Sequence, residues 1–179
     1  MIKISPVFEN APSEIRTALE NETYKKLTEL EIAFTRVDND AVESMEDCVE
    51  ISAVLGAEIR KSVFLTNRQK TELYLLIMPA NKPFVTKAFS EQMGCPRMSF
   101  ASSEQMMNHL GLSPGAATVM GLMNDHTGGV QLVIDQDVID DEWFACNPGA
   151  NTSHIRMRTT DLIHVLLPNL KHPPKMITL

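Results

Sequence analysis

The stretch that first invites chemistry is Gly111-Leu112-Ser113-Pro114-Gly115-Ala116-Ala117-Thr118-Val119-Met120-Gly121-Leu122-Met123-Asn124-Asp125. Small residues from Gly115 to Thr118 let a backbone approach a ligand closely, and successive N–H groups there can form a nest for an anion or an oxyanion. The same composition also describes a tight turn entering a buried strand. No Gly-Lys-Ser/Thr follows, so this is not a Walker loop. Lys61 opens the apolar run Arg60-Lys61-Ser62-Val63-Phe64-Leu65, where alternation sends Lys61, Val63 and Leu65 to one face and Ser62 and Phe64 to the other. A lysine in that company is either a functional cation or an edge lysine that snorkels and blocks aggregation. Asn147-Pro148-Gly149-Ala150-Asn151-Thr152 is a turn by composition, in which the asparagines would cap local backbone. Cys146 and His154 flank that turn and could meet across it as a nucleophile and base. No third orienting group stands beside them, and a lone buried cysteine ordinarily serves as a small apolar residue.

Other chemistries find little support. The three cysteines, Cys48, Cys95 and Cys146, are widely spaced and odd in number, so neither a disulfide framework nor a C-x-x-C motif is present. The five histidines include no H-E-x-x-H or other short ligand spacing, so no metal is expected and no cofactor is implied. Eleven methionines, among them Met106-Met107, Met120 and Met123, read as core filler or a soft pocket wall.

The chain that must position these groups is 179 residues long, 44% hydrophobic and 22% charged, which suits one domain spanning 1–179. A net charge of -7 rules out a simple basic nucleic-acid coat. Charge is unevenly spread, however. Segments 61–100 and 154–179 are net positive, the second through Arg156, Arg158, Lys171 and Lys175, while 1–60 and 101–153 are each strongly acidic. If the two positive segments meet in space, a phosphate-bearing ligand has a place to sit; otherwise they are solvated surface. No apolar run of membrane-spanning length and no secretory leader pattern occur, so a cytoplasmic protein away from membranes is expected.

Pro12-Ser13 followed by Ile15, Leu19, Leu27 and Leu30 predicts a first helix with a break near Asn21, and residues 1–30 a peripheral helical extension. Ile32 to Val37 predicts a strand, and Ser44 to Gly56 a short helix. Ser62 to Thr66 and Glu72 to Met78 predict a hairpin whose second run, LYLLIM, is apolar on both faces and therefore central. Thr86 to Met93 and Ser102 to Leu110 predict helices stopped by Gly94 and Gly111. Beyond Gly111 the chain turns glycine-rich and strand-like through Gln131 to Ile134; Ile155 to Arg158 predicts another strand, and Thr160 to Leu167 a helix stopped by Pro168. The class is mixed α/β, a partly antiparallel mixed sheet with surrounding helices.

Taken in order, Lys61 to Leu65, Tyr74 to Pro79, Met98 to Glu104, Leu112 to Asp125, and Asn147-Pro148 with Asn151-Thr152 resemble the YbaK/ProX family. That family includes trans-acting prolyl-tRNA editing proteins and the editing domain inserted into bacterial prolyl-tRNA synthetase. The resemblance covers roughly residues 25 to 168, and the order of five motifs makes it specific. It implies a single α/β editing domain that hydrolyses, without metal, the ester joining a wrong amino acid, commonly alanine, to the 3′ end of proline tRNA. The implied partners are the acceptor end of that mischarged tRNA and at most a second copy in a weak homodimer. Lys61 matches the functional lysine associated with the terminal phosphate, and Gly115 opens the loop beside the aminoacyl group. Ser62, Ala116, Ala117, Thr118, Val119, Asn124, Asn147 and Asn151 match substrate-facing positions. Three residues depart from the pattern: Ser62 replaces a common Asn, Val119 a common Pro and Asn147 a common His. Val119 removes a φ restraint. Asn147 keeps hydrogen-bonding groups but cannot lend a proton. A deacylase, a non-catalytic binding module of the same fold, and a Cys146/His154 hydrolase are the three functions this sequence leaves open.

Overall fold

The computed structural model describes residues 2–179. Two sheets carry the fold. In the larger, strands run in the order β4 (Ser99–Phe100), β2 (Lys61–Thr66), β3 (Leu73–Met78), β5 (Val130–Asp135), β8 (Lys175–Ile177); the smaller has the order β1 (Phe34–Asp38), β7 (Ser153–Arg158), β6 (Trp143–Cys146). The β4–β2–β3 portion is antiparallel and β3–β5–β8 parallel, so the larger sheet is mixed, as expected. An isolated bridge from Ile59 to Ala145, with Arg60 N–H donating to the Ala145 carbonyl at 2.9 Å, joins the two sheets just ahead of Lys61.

The expected hairpin forms with Lys61 opposite Met78 and Thr66 opposite Leu73. β3 is the middle strand because both of its faces are apolar. Leu75 and Ile77 enter the main core, whereas Leu76 and Met78 enter a second cluster with Val63, Leu65 and Phe89. Phe89 belongs to α3 (Thr86–Met93), which starts and stops where the sequence predicts and ends on left-handed Gly94. The segment α4 (Ser103–Leu110) begins in a reciprocal capping box between Ser102 and Gln105 and ends on left-handed Gly111. A third cluster lies between the smaller sheet and α2 (Cys48–Leu55), using Val37, Ile51 and Ala145.

Several expectations are corrected. The first helix, α1 (Ala18–Glu29), starts later than the apolar spacing suggests because Thr17 and Glu20 form a capping box; Ile15 lies outside it and is 92% exposed. Asn21 does not break it, since its amide folds back onto the Arg16 N–H and carbonyl. Leu19, Tyr24 and Leu27 enter the main core. Pro168 does not stop the last helix. Helical residues run from α6 (Thr159–Asp161) through a π turn at Leu162–Leu166 into α7 (Leu167–Leu170), and the π turn shifts the backbone pairing by one residue just before the proline, which lacks an N–H. After Gly111 the chain makes a 3₁₀ segment, Val119–Asn124, instead of entering a strand directly. The short β4, β6, β8 and α5 (Gln136–Asp140) lie outside the predicted set. Among the described residues no helix is long and apolar enough to cross a membrane.

One junction binds α1 to the rest: Thr23 Oγ1 donates to the Pro148 carbonyl at 2.7 Å, and Leu19 packs where a Cβ on Gly149 would come to 2.8 Å from its Cγ. Gly149 also has φ 134. Gly149→Ala is therefore expected to destabilise by roughly 2–4 kcal/mol through combined strain and overpacking. Gly94→Ala, at φ 63 with open space around the added carbon, is expected to cost only about 1–2 kcal/mol. Urea unfolding of the two variants measures the difference, and equal midpoints would contradict the packing argument.

Candidate active site

The sites flagged in the sequence converge on a cavity of about 260 Å³ between the start of β2, the turn after β6 and the loop before the 3₁₀ segment. Lys61, Ser62, Gly115, Ala117 and Asn147 line it, together with apolar Val42, Met45, Ile59, Phe64 and Met106. Ala116, Thr118, Val119, Asn124 and Asn151 stand outside the lining.

Those outside have identifiable work. Thr118 is fully buried, and its hydroxyl donates to the main-chain carbonyl of Asn147 at 2.7 Å. The same hydroxyl caps the 3₁₀ segment by accepting from Met120 N–H. Val119 is buried in the main core and Ala116 packs against it. Exposed Asn124 donates to the Leu110 carbonyl at 2.8 Å, closing α4, while Asp125 accepts from the N–H groups of Gly129 and Val130. Burial opposes ionisation of Asp125, but hydrogen bonds from His172 and these two backbone groups hold its carboxyl below the usual range. Asn151 Nδ2 donates to the Val42 carbonyl at 2.8 Å and so fixes one wall.

Asn147 lines the cavity, yet its amide is engaged within the protein. Nδ2 donates to the carbonyls of Ala116 and Ala117, each at 3.3 Å, and Oδ1 accepts from Gly149 N–H at 3.0 Å. Together with the Thr118 bond these contacts lace the Gly115 loop to the Asn147 turn. Gly115 has φ 83, and a Cβ built on it meets nothing within 4 Å, so the loop leaves open space on that side. The N–H groups of Gly115 and Ala117 make no hydrogen bond among the described residues.

Half-buried Lys61 donates through Nζ to the Lys82 carbonyl. The segment bearing that carbonyl is itself anchored: Lys82 Nζ lies 3.0 Å from the fully buried Asp135 carboxylate, 2.8 Å from Asp137 and 2.8 Å from the Leu179 carbonyl. One carbonyl leaves donors on the Lys61 ammonium for another partner. The two positive segments do not share this cavity. Arg156 and Arg158 each lie 4.2 Å from the Trp143 ring centre, in a separate pocket with Glu9 and Phe34, so of the basic residues the cavity takes Lys61 from the first segment and none from the second, which contributes only His154.

The profile of the aminoacyl-tRNA editing domain matches residues 39–165, well over half of the chain. The chain belongs to this family. The prolyl-tRNA editing protein ProX of Acetoanaerobium sticklandii is 27% identical over 144 residues, covering 80% of this chain and 88% of that protein. A solved structure described as a candidate trans-editing enzyme for prolyl tRNA synthetase superposes with a TM-score of 0.65 at 13% identity, over 92% of this chain and 99% of that one. The hypothetical protein APE2540 gives a TM-score of 0.64 at 14% identity, over 88% and 97% of the two chains. At these identities the two structures speak for the fold alone.

Two buried groups of this editing domain have displaced ionisation. Burial pushes the Cys146 thiol up to about 12, against the hydrogen bond to Thr118, so it is no thiolate nucleophile at neutral pH. His154, on β7, is 2% exposed, and burial lowers its pKa to about 4. Both residues belong to the cavity lining, but their side chains do not bond one another, and His154 Nδ1 instead lies 2.9 Å from Asn39 Oδ1. Composition offered no signal for His154 apart from Cys146. Alternation along 153–158, with Ser153, Ile155 and Met157 turned to the interior, would have placed it with Arg156 on the other face.

A histidine held neutral in the folded state binds fewer protons than in the unfolded chain between pH 4 and 6.5, so its contribution to stability is present above about 6.5 and lost as pH falls through 4. The full loss is on the order of 3 kcal/mol. His154→Gln is expected to flatten the acid side of the stability profile by this order, measured by urea unfolding at pH 7 and pH 4.5. An unchanged slope would mean that His154 charges freely in the folded protein.

Proposed function

We propose that this protein is a trans-acting deacylase that hydrolyses the ester of a mischarged small amino acid, alanine foremost, on proline tRNA. The observation that carries the reading is the convergence of Lys61, Ser62, Gly115, Ala117 and Asn147 on one small cavity in a chain of the editing family. The ProX relative is named as a prolyl-tRNA editing protein, which supports proline tRNA as the substrate carrier.

An aminoacyl ester is already activated, so binding, orientation and oxyanion stabilisation suffice without a side-chain nucleophile. Lys61 directs its free ammonium donors at a phosphate of the terminal nucleotide. The unengaged N–H groups of Gly115 and Ala117 receive the ester carbonyl oxygen and strengthen their bonds as it becomes the tetrahedral oxyanion. Water adds to the carbonyl carbon, assisted by the neighbouring ribose hydroxyl; the C–O bond to the 3′ oxygen breaks, and that oxygen leaves with the proton. The walls formed by Val42, Phe64 and Met106 would receive the alanyl methyl, and selection against proline would come from a clash with these walls and not from the cavity's total volume. Among the described residues no group of three or more His, Cys, Asp or Glu has a metal-binding arrangement. The engaged amide of Asn147 favours a second reading, a module that binds aminoacyl-tRNA without turnover.

Purified protein is expected to release alanine, ahead of serine or cysteine, from mischarged tRNA without added metal. Lys61→Ala should lower kcat/KM by about 10- to 150-fold, the worth of a charge-assisted hydrogen bond of 1.5–3 kcal/mol, with little change in Tm. Parental activity in that variant would remove Lys61 from the site. Binding of aminoacyl-tRNA with no release across the full panel would establish the second reading instead.

A further inference from the structure

The hydrogen-bonding inventory of the cavity is lopsided. Donors are plentiful: the Lys61 ammonium and the N–H groups of Gly115 and Ala117. Acceptors are fewer: the side-chain oxygen of Asn147 is engaged, Glu43 is exposed, and the Ser62 hydroxyl can donate as well as accept. An aminoacyl ester, however, carries an α-ammonium that only donates and that a lysine repels.

His154 supplies a buried acceptor that cannot also donate. Asn39 Nδ2 donates to the carbonyls of Asp40 at 2.8 Å and Asn151 at 3.1 Å, which fixes the orientation of that amide. Its Oδ1 therefore faces His154 Nδ1 at 2.9 Å and can only accept, so Nδ1 carries the proton. In the neutral ring Nε2 then holds a lone pair. Among the described residues it bonds to no protein group, it is not sealed from solvent, and it belongs to a residue of the cavity lining. We infer that His154 Nε2 receives the α-ammonium of the aminoacyl group and selects esters that bear a free amine, an inference that rests on the deacylase reading for its substrate class. A ring so reluctant to protonate is a poor general base at neutral pH, which favours binding over proton abstraction.

The test compares alanyl-tRNA with propionyl-tRNA, which lacks the amine, and pairs turnover with calorimetric binding of their non-hydrolysable 3′-amide adenosine analogues. Wild-type protein should prefer the alanyl form in both assays by about 10- to 100-fold, the range of a hydrogen bond to a charged group. His154→Leu should reduce the ratio to near one, and His154→Gln, which keeps an acceptor, should restore part of it. A preserved ratio in folded His154→Leu overturns the inference, as does failure of wild type to bind either analogue or to distinguish them. If turnover is absent but the binding preference holds and depends on His154, the deacylase reading fails while the ammonium site stands. Should His154→Leu not fold, ¹⁵N spectra of histidine-labelled wild type decide: Nε2 must read as unprotonated and shift with the alanyl analogue but not with the propionyl one.

Discussion

The hydroxyl of Thr118, buried and donated to the main-chain carbonyl of Asn147, is the tie on which the site depends. Neither the Gly115 loop nor the Asn147 turn belongs to a strand or an α-helix, so no ladder holds either in place. A buried carbonyl without a partner costs about 1–3 kcal/mol, which makes the tie strongly preferred once the core closes around it. The Asn147 amide adds the reverse connection to Ala116 and Ala117, and Thr23 of α1 clamps the next carbonyl, that of Pro148. Loop, turn and first helix thus act as one body. The cavity keeps its shape because its flexible walls are bonded to each other.

This lacing explains how the three departures from the family pattern are absorbed. Val119 replaces a ring that would restrict φ, but it is buried in the core and the adjacent Thr118 supplies the restraint as a hydrogen bond. Asn147 replaces a titratable ring, and its amide serves the scaffold. Ser62 remains on the cavity wall at the second position of β2. Under the proposed deacylase reading the chemical burden falls on backbone N–H groups and on Lys61, whose own position is set by a carbonyl that buried Asp135 anchors through Lys82.

Where the sequence pattern was local and strong, it matched the structure. LYLLIM could only be a central strand, since a strand with both faces apolar must be covered twice. Gly94 and Gly111 stopped α3 and α4 at left-handed caps as their positions implied. Motif order brought Lys61, Ser62, Gly115, Ala117 and Asn147 together, but spacing could not reveal which neighbours face the cavity. Thr118 and Asn151 proved to be braces, and Asn124 closes a helix. The short strands β4 and β8 were illegible because their three residues or fewer carry no periodicity and form only beside a neighbour already in place. His154 was legible only as a partner for Cys146; its actual partner, Asn39, lies 115 positions earlier in the chain.

That separation has a kinetic side. The smaller sheet pairs Phe34 with Met157 and Asp38 with Ser153, and the larger adds β5 parallel to β3 only after α3 and α4 have been crossed. Loop-closure entropy must be met before such distant pairings return any free energy, so chains of this topology fold more slowly than helical bundles of equal length. During synthesis, β2 and β3 are complete well before β7 emerges. The ring of His154 therefore reaches Asn39 only when the last quarter of the protein arrives, and the cavity has no floor until then. A nascent chain carries Lys61 and the Gly115 loop for many residues before it possesses a pocket.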